Sequence, residues 1–189
     1  MPQAKTLTEK ELKIVLATVA TGRHAARNRA MVLMSFWAGM RAGELAALRV
    51  ADMVAPDGSI NSEIRLEADQ TKGQRGRVVM LGDKLQKELA VYVASLGYPP
   101  DDGPFFYSQV MHSGLSANTV AQLFLQIYEQ AGLQGASSHS GRRTFITTLA
   151  NKGVGVRVLM ALAGHRHMST TQRYIDLNDE MLKVAVNLV

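Results

Sequence analysis

Apolar positions along this chain recur mostly at helical spacing, with one interruption where they alternate. Leu12, Val15, Leu16 and Val19 fall three and four apart, directly after Thr8-Glu9-Lys10-Glu11. In such a sequence the threonine hydroxyl accepts from the backbone three residues on. The second glutamate accepts in return from the threonine N–H, so an amphipathic helix is predicted from about residue 8 to 20. Around Ala25 to Ala38 the run MVLMSFWA is apolar on every side, which suits a buried central helix closed near Gly39, with a third helix starting at about Arg41. Leu85, Leu89, Tyr92, Val93 and Leu96 predict a helix from Asp83 to about Leu96, which GYPPDDGP then breaks. Ser116 is placed to cap a helix through Val120, Leu123, Phe124, Ile127 and Ala131, closed by Gly132. Two shorter helices follow at about 139–152 and 155–163, bounded by Gly153 and Gly164. The tail Asn178 to Val189 sets Met181, Leu182, Ala185, Leu188 and Val189 on one stripe of a last helix.

The interruption lies between the third and fourth helices. Ile60, Ile64, Leu66 and Ala68 mark strand positions, Val78 to Leu81 is a second β-rich run, and the polar TKGQRG between them reads as a hairpin with Lys72 on or beside its turn. The predicted fold class is mainly α with a small antiparallel β-sheet, an α+β arrangement in a single domain over residues 1–189.

Composition narrows the picture. A chain of 189 residues is long enough for one well-buried core. No apolar run approaches the roughly 18 residues of a membrane span, and no apolar h-region follows the N-terminal basic residues. With no cysteine, disulfides, thiolate metal sites and cysteine nucleophiles are excluded, and a cytoplasmic protein without membrane contact is expected. The net charge of +5 is modest but unevenly placed. From Gln130 to Ile175 there is no acidic residue, while Arg142, Arg143, Lys152, Arg157, Arg166 and Arg173 are cationic, and His139, His165 and His167 stand in reserve. Such segregation is expected of a polyanion-binding face, a solvated basic surface being the alternative.

Two segments carry candidate chemistry. In His139-Ser140-Gly141-Arg142-Arg143-Thr144 a histidine and an arginine sit three apart on one face of a helix start, with Ser138 available as the cap. Free amides and the positive dipole end favour an anion there, although a chance surface pair has the same spacing. In Ala163 to Tyr174, Gly164 ends a helix, His165 follows on the bend with its imidazole free to aim away from the core, and Tyr174 comes nine residues later. An ordinary tyrosine, with a pKa of about 10, is a poor nucleophile unless cations stabilise the phenolate and the transition state.

These residues resemble the tyrosine recombinase, or phage integrase, family. Leu162 to Tyr174, with Gly-His, then Thr-Thr, then the tyrosine, is similar to its C-terminal signature. His139-x-x-Arg142 is similar to its second box, Met40-Arg41-Ala42-Gly43-Glu44-Leu45 to its first arginine box, and Thr71-Lys72-Gly73 to its hairpin lysine. Four boxes in register over nearly the whole chain form a specific pattern. The resemblance implies site-specific cleavage and rejoining of double-stranded DNA through a 3′-phosphotyrosine at Tyr174. Arg41 and Arg142 would bind the non-bridging oxygens, Lys72 would protonate the leaving 5′-oxygen, His139 would assist proton transfer and His165 would hydrogen-bond the phosphate, with Glu44 supporting Arg41. Neither metal nor cofactor is implied. Arg75, Arg77, Arg143, Arg166 and Arg173 are expected on the DNA backbone.

Plainer readings stand beside these. Arg41 and Glu44 fit a surface pair, Lys72 an ordinary hairpin lysine and Tyr174 a core tyrosine. His167 reads as an exposed neighbour. Gly141 stands where the family often has an apolar residue and Arg143 where it often has His or Lys, which predicts a looser, more basic helix start. The helical core-binding domain that usually precedes the catalytic one is expected to be absent, through excision or as in the short fimbrial phase-switch recombinases that His24 to Asn28 resembles. A nucleoid-associated protein is expected, monomeric in free solution and a homo-oligomer, a tetramer, on DNA, with accessory DNA-bending proteins as further partners. The tail helix would dock on its own domain or on a neighbour. A topoisomerase of the same chemistry and a non-cleaving DNA-binding regulator are the alternatives.

Overall fold

The computed structural model describes residues 3–71, 74–97, 103–108, 113–175, 182–183 and 186–187. Chain order is α1 (Glu9–Ala20), α2 (Ala25–Trp37), α3 (Ala42–Ala47), α4 (Val50–Met53), β1 (Glu63–Leu66), β2 (Arg77–Met80), α5 (Asp83–Ser95), α6 (Ala117–Gln130), α7 (Ser140–Asn151), α8 (Val156–Ala163) and α9 (Met168–Gln172). The architecture is mainly helical with one two-stranded antiparallel sheet. No helix among the described residues is long and apolar enough to cross a membrane.

The apolar run of α2 becomes the axis of the core. Ala30 to Phe36 are all buried, and the helix packs against α7, α5 and α1. The predicted capping box opens α1, with Thr8 Oγ1 accepting from Glu11 N at 3.2 Å and Glu11 accepting from Thr8 N at 2.8 Å. Ser116 caps α6, whose buried Val120, Phe124, Ile127 and Tyr128 extend the core beside α3.

The hairpin is shorter than the apolar pattern predicts. Ile60 leaves the ladder to pair with Val54 in an isolated bridge, and only Glu63 to Leu66 run against β2. The register pairs Ile64 with Val79 and Leu66 with Arg77. Because strand side chains alternate between faces, Arg77 shares the inner face with Val79, while Val78 and Met80 are exposed. The helices α4 and α9 were not predicted, being too short to develop a period. The expected tail helix lies largely outside the described residues, as does Lys72. Of the tail, Leu182, Lys183 and Val186 are helical, with Leu182 and Val186 exposed.

The start of α7 corrects the sequence reading twice. Ser138 does not cap it: Ser140 Oγ accepts from Ser137 N at 2.9 Å and Ser137 Oγ from His139 N, so the flanking serines close the turn. Gly141 makes the helix start tighter, not looser. A Cβ there would lie 2.4 Å from Ser35 Oγ and 2.9 Å from Phe36 Cδ2, so the absent side chain is what lets α7 press onto α2. Gly141→Ala should therefore lower unfolding stability by about 1–3 kcal/mol, as overpacked cores do. Urea denaturation checks this; an unchanged midpoint would show that the α2–α7 contact is plastic.

Candidate active site

Among the described residues a single carboxylate organises the site. Glu44, three residues into the first turn of α3, is 1% exposed. It reaches back to accept from Arg41 N at 2.8 Å, as third-position glutamates do, and pairs with Arg41 Nη1 at 2.7 Å. Its other partner comes from the hairpin. Arg77 donates from Nε at 3.0 Å and Nη2 at 2.8 Å, a two-point contact suited to a planar guanidinium. Arg77 also donates from Nη1 to Leu162 O at 2.7 Å, at the end of α8. Its side chain is 8% exposed. Arg77, expected on the DNA backbone, is thus an internal strut, because the β2 register turns it inward and its donors meet protein acceptors.

Arg142 comes to the same place from α7. It is 4% exposed, donating from Nη1 to Gly39 O at 2.8 Å and from Nη2 to Ala163 O. Burial, and then the positive charge of Arg41, push its guanidinium down to about 9. Burial opposes ionisation of Glu44, yet Arg77 and then Arg41 hold its carboxyl below the ordinary range. Among the described residues three guanidiniums thus face one carboxylate.

A left-handed Gly164, φ +58°, closes α8. A Cβ there would fall 2.5 Å from Arg77 Cδ, so backbone shape and the strut both require glycine. His165 follows, its Nδ1 2.9 Å from Thr171 Oγ1 and its ring stacked on Tyr174 with centroids 5.7 Å apart. The Arg143 guanidinium lies 5.6 Å from the centre of the Tyr174 ring and donates to Gln3. Arg143, expected on the DNA backbone, sits against the candidate nucleophile, where cation and ring attract.

Arg41, Arg75, Arg77, His165, Arg166 and His167 line an open cleft of about 590 Å³ that Thr71, Gly76, Gly164 and Thr170 complete. Arg142 lies behind it and Tyr174 beside it. His139, the N-cap of α7, is exposed and outside that lining, as is Arg173. Lys72 falls outside the described residues, although its neighbour Thr71 lines the cleft. Sequence reasoning missed Thr171 and the inward role of Arg77. For Arg77 the signal existed, since Arg77, Val79 and Leu81 alternate on one face.

Two expectations follow from this geometry. Glu44→Ala should cost about 3–5 kcal/mol of stability by stranding two partly buried guanidiniums, and a loss below 1 kcal/mol in chemical denaturation would show the network is dispensable. Burial, then Arg142, Arg41 and Arg77, push His165 down to about 4. With the folded value depressed below the free one of about 6.5, the folded state should lose stability as pH falls from there through 4. An NMR titration of the ring should show it neutral at pH 6; a midpoint above 6 would mean that the arginines do not act on it.

The sequence profile of the phage integrase family matches residues 5–181. A tyrosine recombinase of Pseudothermotoga lettingae is 32% identical over 162 residues, covering 85% of this chain and 53% of that protein. A XerA recombinase crystal structure superposes with a TM-score of 0.78 at 26% identity, covering 100% of this chain and 66% of that one. A XerH site-specific recombinase bound to palindromic difH substrate, in a post-cleavage complex, superposes with a TM-score of 0.73 at 24% identity, covering 96% and 51%. The chain spans about half the length of the curated relatives it matches. The matched range takes in the Arg41, Arg142, His165 and Tyr174 segments, and the chain belongs to the phage integrase family.

Proposed function

We propose that residues 1–189 form one catalytic domain that cleaves and rejoins double-stranded DNA in site-specific recombination. What supports this reading is the buried Arg142, hydrogen-bonded only to carbonyl oxygens among the described residues, set beside Arg41 and His165 at an open cleft with Tyr174 stacked on His165. A phosphate in that cleft would meet the positive charge that Glu44 leaves uncompensated.

In the proposed reaction Tyr174 Oη attacks phosphorus. A phosphorus–oxygen bond forms to the tyrosine, the bond to the 5′-oxygen breaks, and Lys72 supplies the proton that oxygen takes. His139 assists the proton transfer from the tyrosine hydroxyl. Arg41 and Arg142 bear the charge that builds on the non-bridging oxygens, and preorganised donors of this kind are a large source of rate. His165 donates a further hydrogen bond to the phosphate. The 5′-hydroxyl of another strand can then attack the phosphotyrosine and rejoin the backbone without an external energy source. Arg75, Arg166 and the exposed Arg173 contact flanking phosphates. On DNA the chain works as a homotetramer, with DNA-bending accessory proteins, and it is a monomer in free solution, nucleoid-associated in the cell.

Tyr174→Phe should abolish the covalent adduct on nicked duplexes while leaving DNA affinity nearly unchanged, because phosphate contacts dominate binding. Arg142→Ala should slow adduct formation by about 10²-fold or more. Both are read by denaturing gel in excess EDTA, and an adduct formed by the phenylalanine variant would overturn the assignment.

A further inference from the structure

His165 stands outside the guanidinium network and has a hydrogen-bonding partner of its own. Thr171, on α9, is fully buried, with its Oγ1 2.9 Å from His165 Nδ1. Its carbonyl accepts from Tyr174 N at 3.0 Å, so one residue holds the histidine by its side chain and the tyrosine by its backbone.

We propose that Thr171 is a positioning residue that fixes the tautomer of His165, donating its hydroxyl hydrogen to Nδ1 so that Nε2 carries the only N–H of the ring. The argument is one of satisfaction. A threonine hydroxyl has one hydrogen to donate, and among the described residues His165 Nδ1 is the only side-chain hydrogen-bond partner of Thr171. Were the ring to donate from Nδ1 instead, that hydrogen would be sealed in a fully buried place with no acceptor among the described residues, and an unmet buried donor is what folded proteins avoid. The ring is neutral near pH 7, since burial and the nearby arginines hold it at about 4, and a neutral imidazole has one donor nitrogen and one acceptor nitrogen. With Nδ1 committed as acceptor, Nε2 must donate. Stacking on Tyr174 restrains the ring plane as well.

The consequence for chemistry rests on the phosphate-binding reading of the cleft. A ring with hydrogen on Nε2 can donate to an anion, whereas the other tautomer would present a lone pair and repel it. Thr171 would act on the transition state without touching it.

The full chain, with ¹⁵N-labelled histidine, decides the tautomer by long-range ¹H–¹⁵N correlation at pH 7. The expected pattern for His165 is an unprotonated Nδ1 and a protonated Nε2, and the reverse pattern would overturn the proposal. Adduct formation on nicked duplexes then tests the consequence. Thr171→Val should lower the rate on the order of tenfold or more with DNA affinity retained, and Thr171→Ser, which keeps the hydroxyl, should restore it. A valine variant as fast as wild type, or valine and serine variants equally impaired, would overturn the positioning role. His165→Ala cleaving at the wild-type rate would instead sink the phosphate-ligand reading, leaving the tautomer to the NMR pattern alone. If the valine variant fails to fold, the wild-type pattern still decides the tautomer and Thr171→Ala takes the place of valine in the rate comparison.

Discussion

Taking the Glu44 carboxylate out of water costs several kcal/mol, and the cost is offset only if cations with good geometry come with it. Arg41 is supplied locally by the turn at the start of α3, but Arg77 must be delivered from the hairpin. Delivery requires the β2 register that turns Arg77 inward. It also requires Gly164 at the end of α8, because a side chain there would occupy the volume of the Arg77 stem. Helix, hairpin and the turn that presents His165 are thereby locked to one another. A one-residue slip of β2 would face Arg77 to solvent, leaving Glu44 short of charge and Leu162 O short of a donor.

The arrangement is deliberately unbalanced in charge. Among the described residues Arg41, Arg77 and Arg142 face one carboxylate, and Arg142 leans on carbonyl dipoles that orient it without neutralising it. Burial first, and then the neighbouring positive charge, depresses both Arg142 and His165. A second buried acid would offset that charge and add stability, but would also repel any anion. In the proposed reaction the substrate phosphate completes the neutralisation, so binding and stability draw on the same surplus, and a bound phosphate should stabilise the fold by mass action.

Most of the helical framework was legible in the sequence because it is written locally. Thr8 and Glu11, the apolar run of α2, Ser116, and the glycines after α7 and α8 each declare a start or stop within a few residues. The candidate residues Arg41, Arg142, His165 and Tyr174 could be picked out through the family boxes they resemble, and the fold brings them into one neighbourhood. What could not be read depends on partners distant in sequence. Ser138 looked like a cap because Ser137 and Ser140 exchanging bonds across the turn leaves no distinct signature. Gly141 suggested looseness because its reason lies on α2, in Ser35 and Phe36. The basic residues were assigned by charge alone, which cannot separate Arg75 on the cleft wall from Arg77 bound to Glu44 or from Arg143 against a ring.

The cation cluster also has an order of assembly imposed by its scatter along the chain. During synthesis from the N-terminus Arg41 and Glu44 can pair as soon as α3 forms, and Arg77 can join once the hairpin closes. Arg142 and His165 arrive only after α7 and α8 have emerged, and Thr171 and Tyr174 come later still. A nascent chain, or one degraded from its C-terminal side, therefore holds a Glu44 network with two guanidiniums on one carboxylate, a smaller positive excess than Arg142 later brings. Long-range contacts of this kind also form late in folding, since their loops must close first. The nucleophile is the last member to appear, so the fold offers no half-built stage with the tyrosine poised and the cluster incomplete.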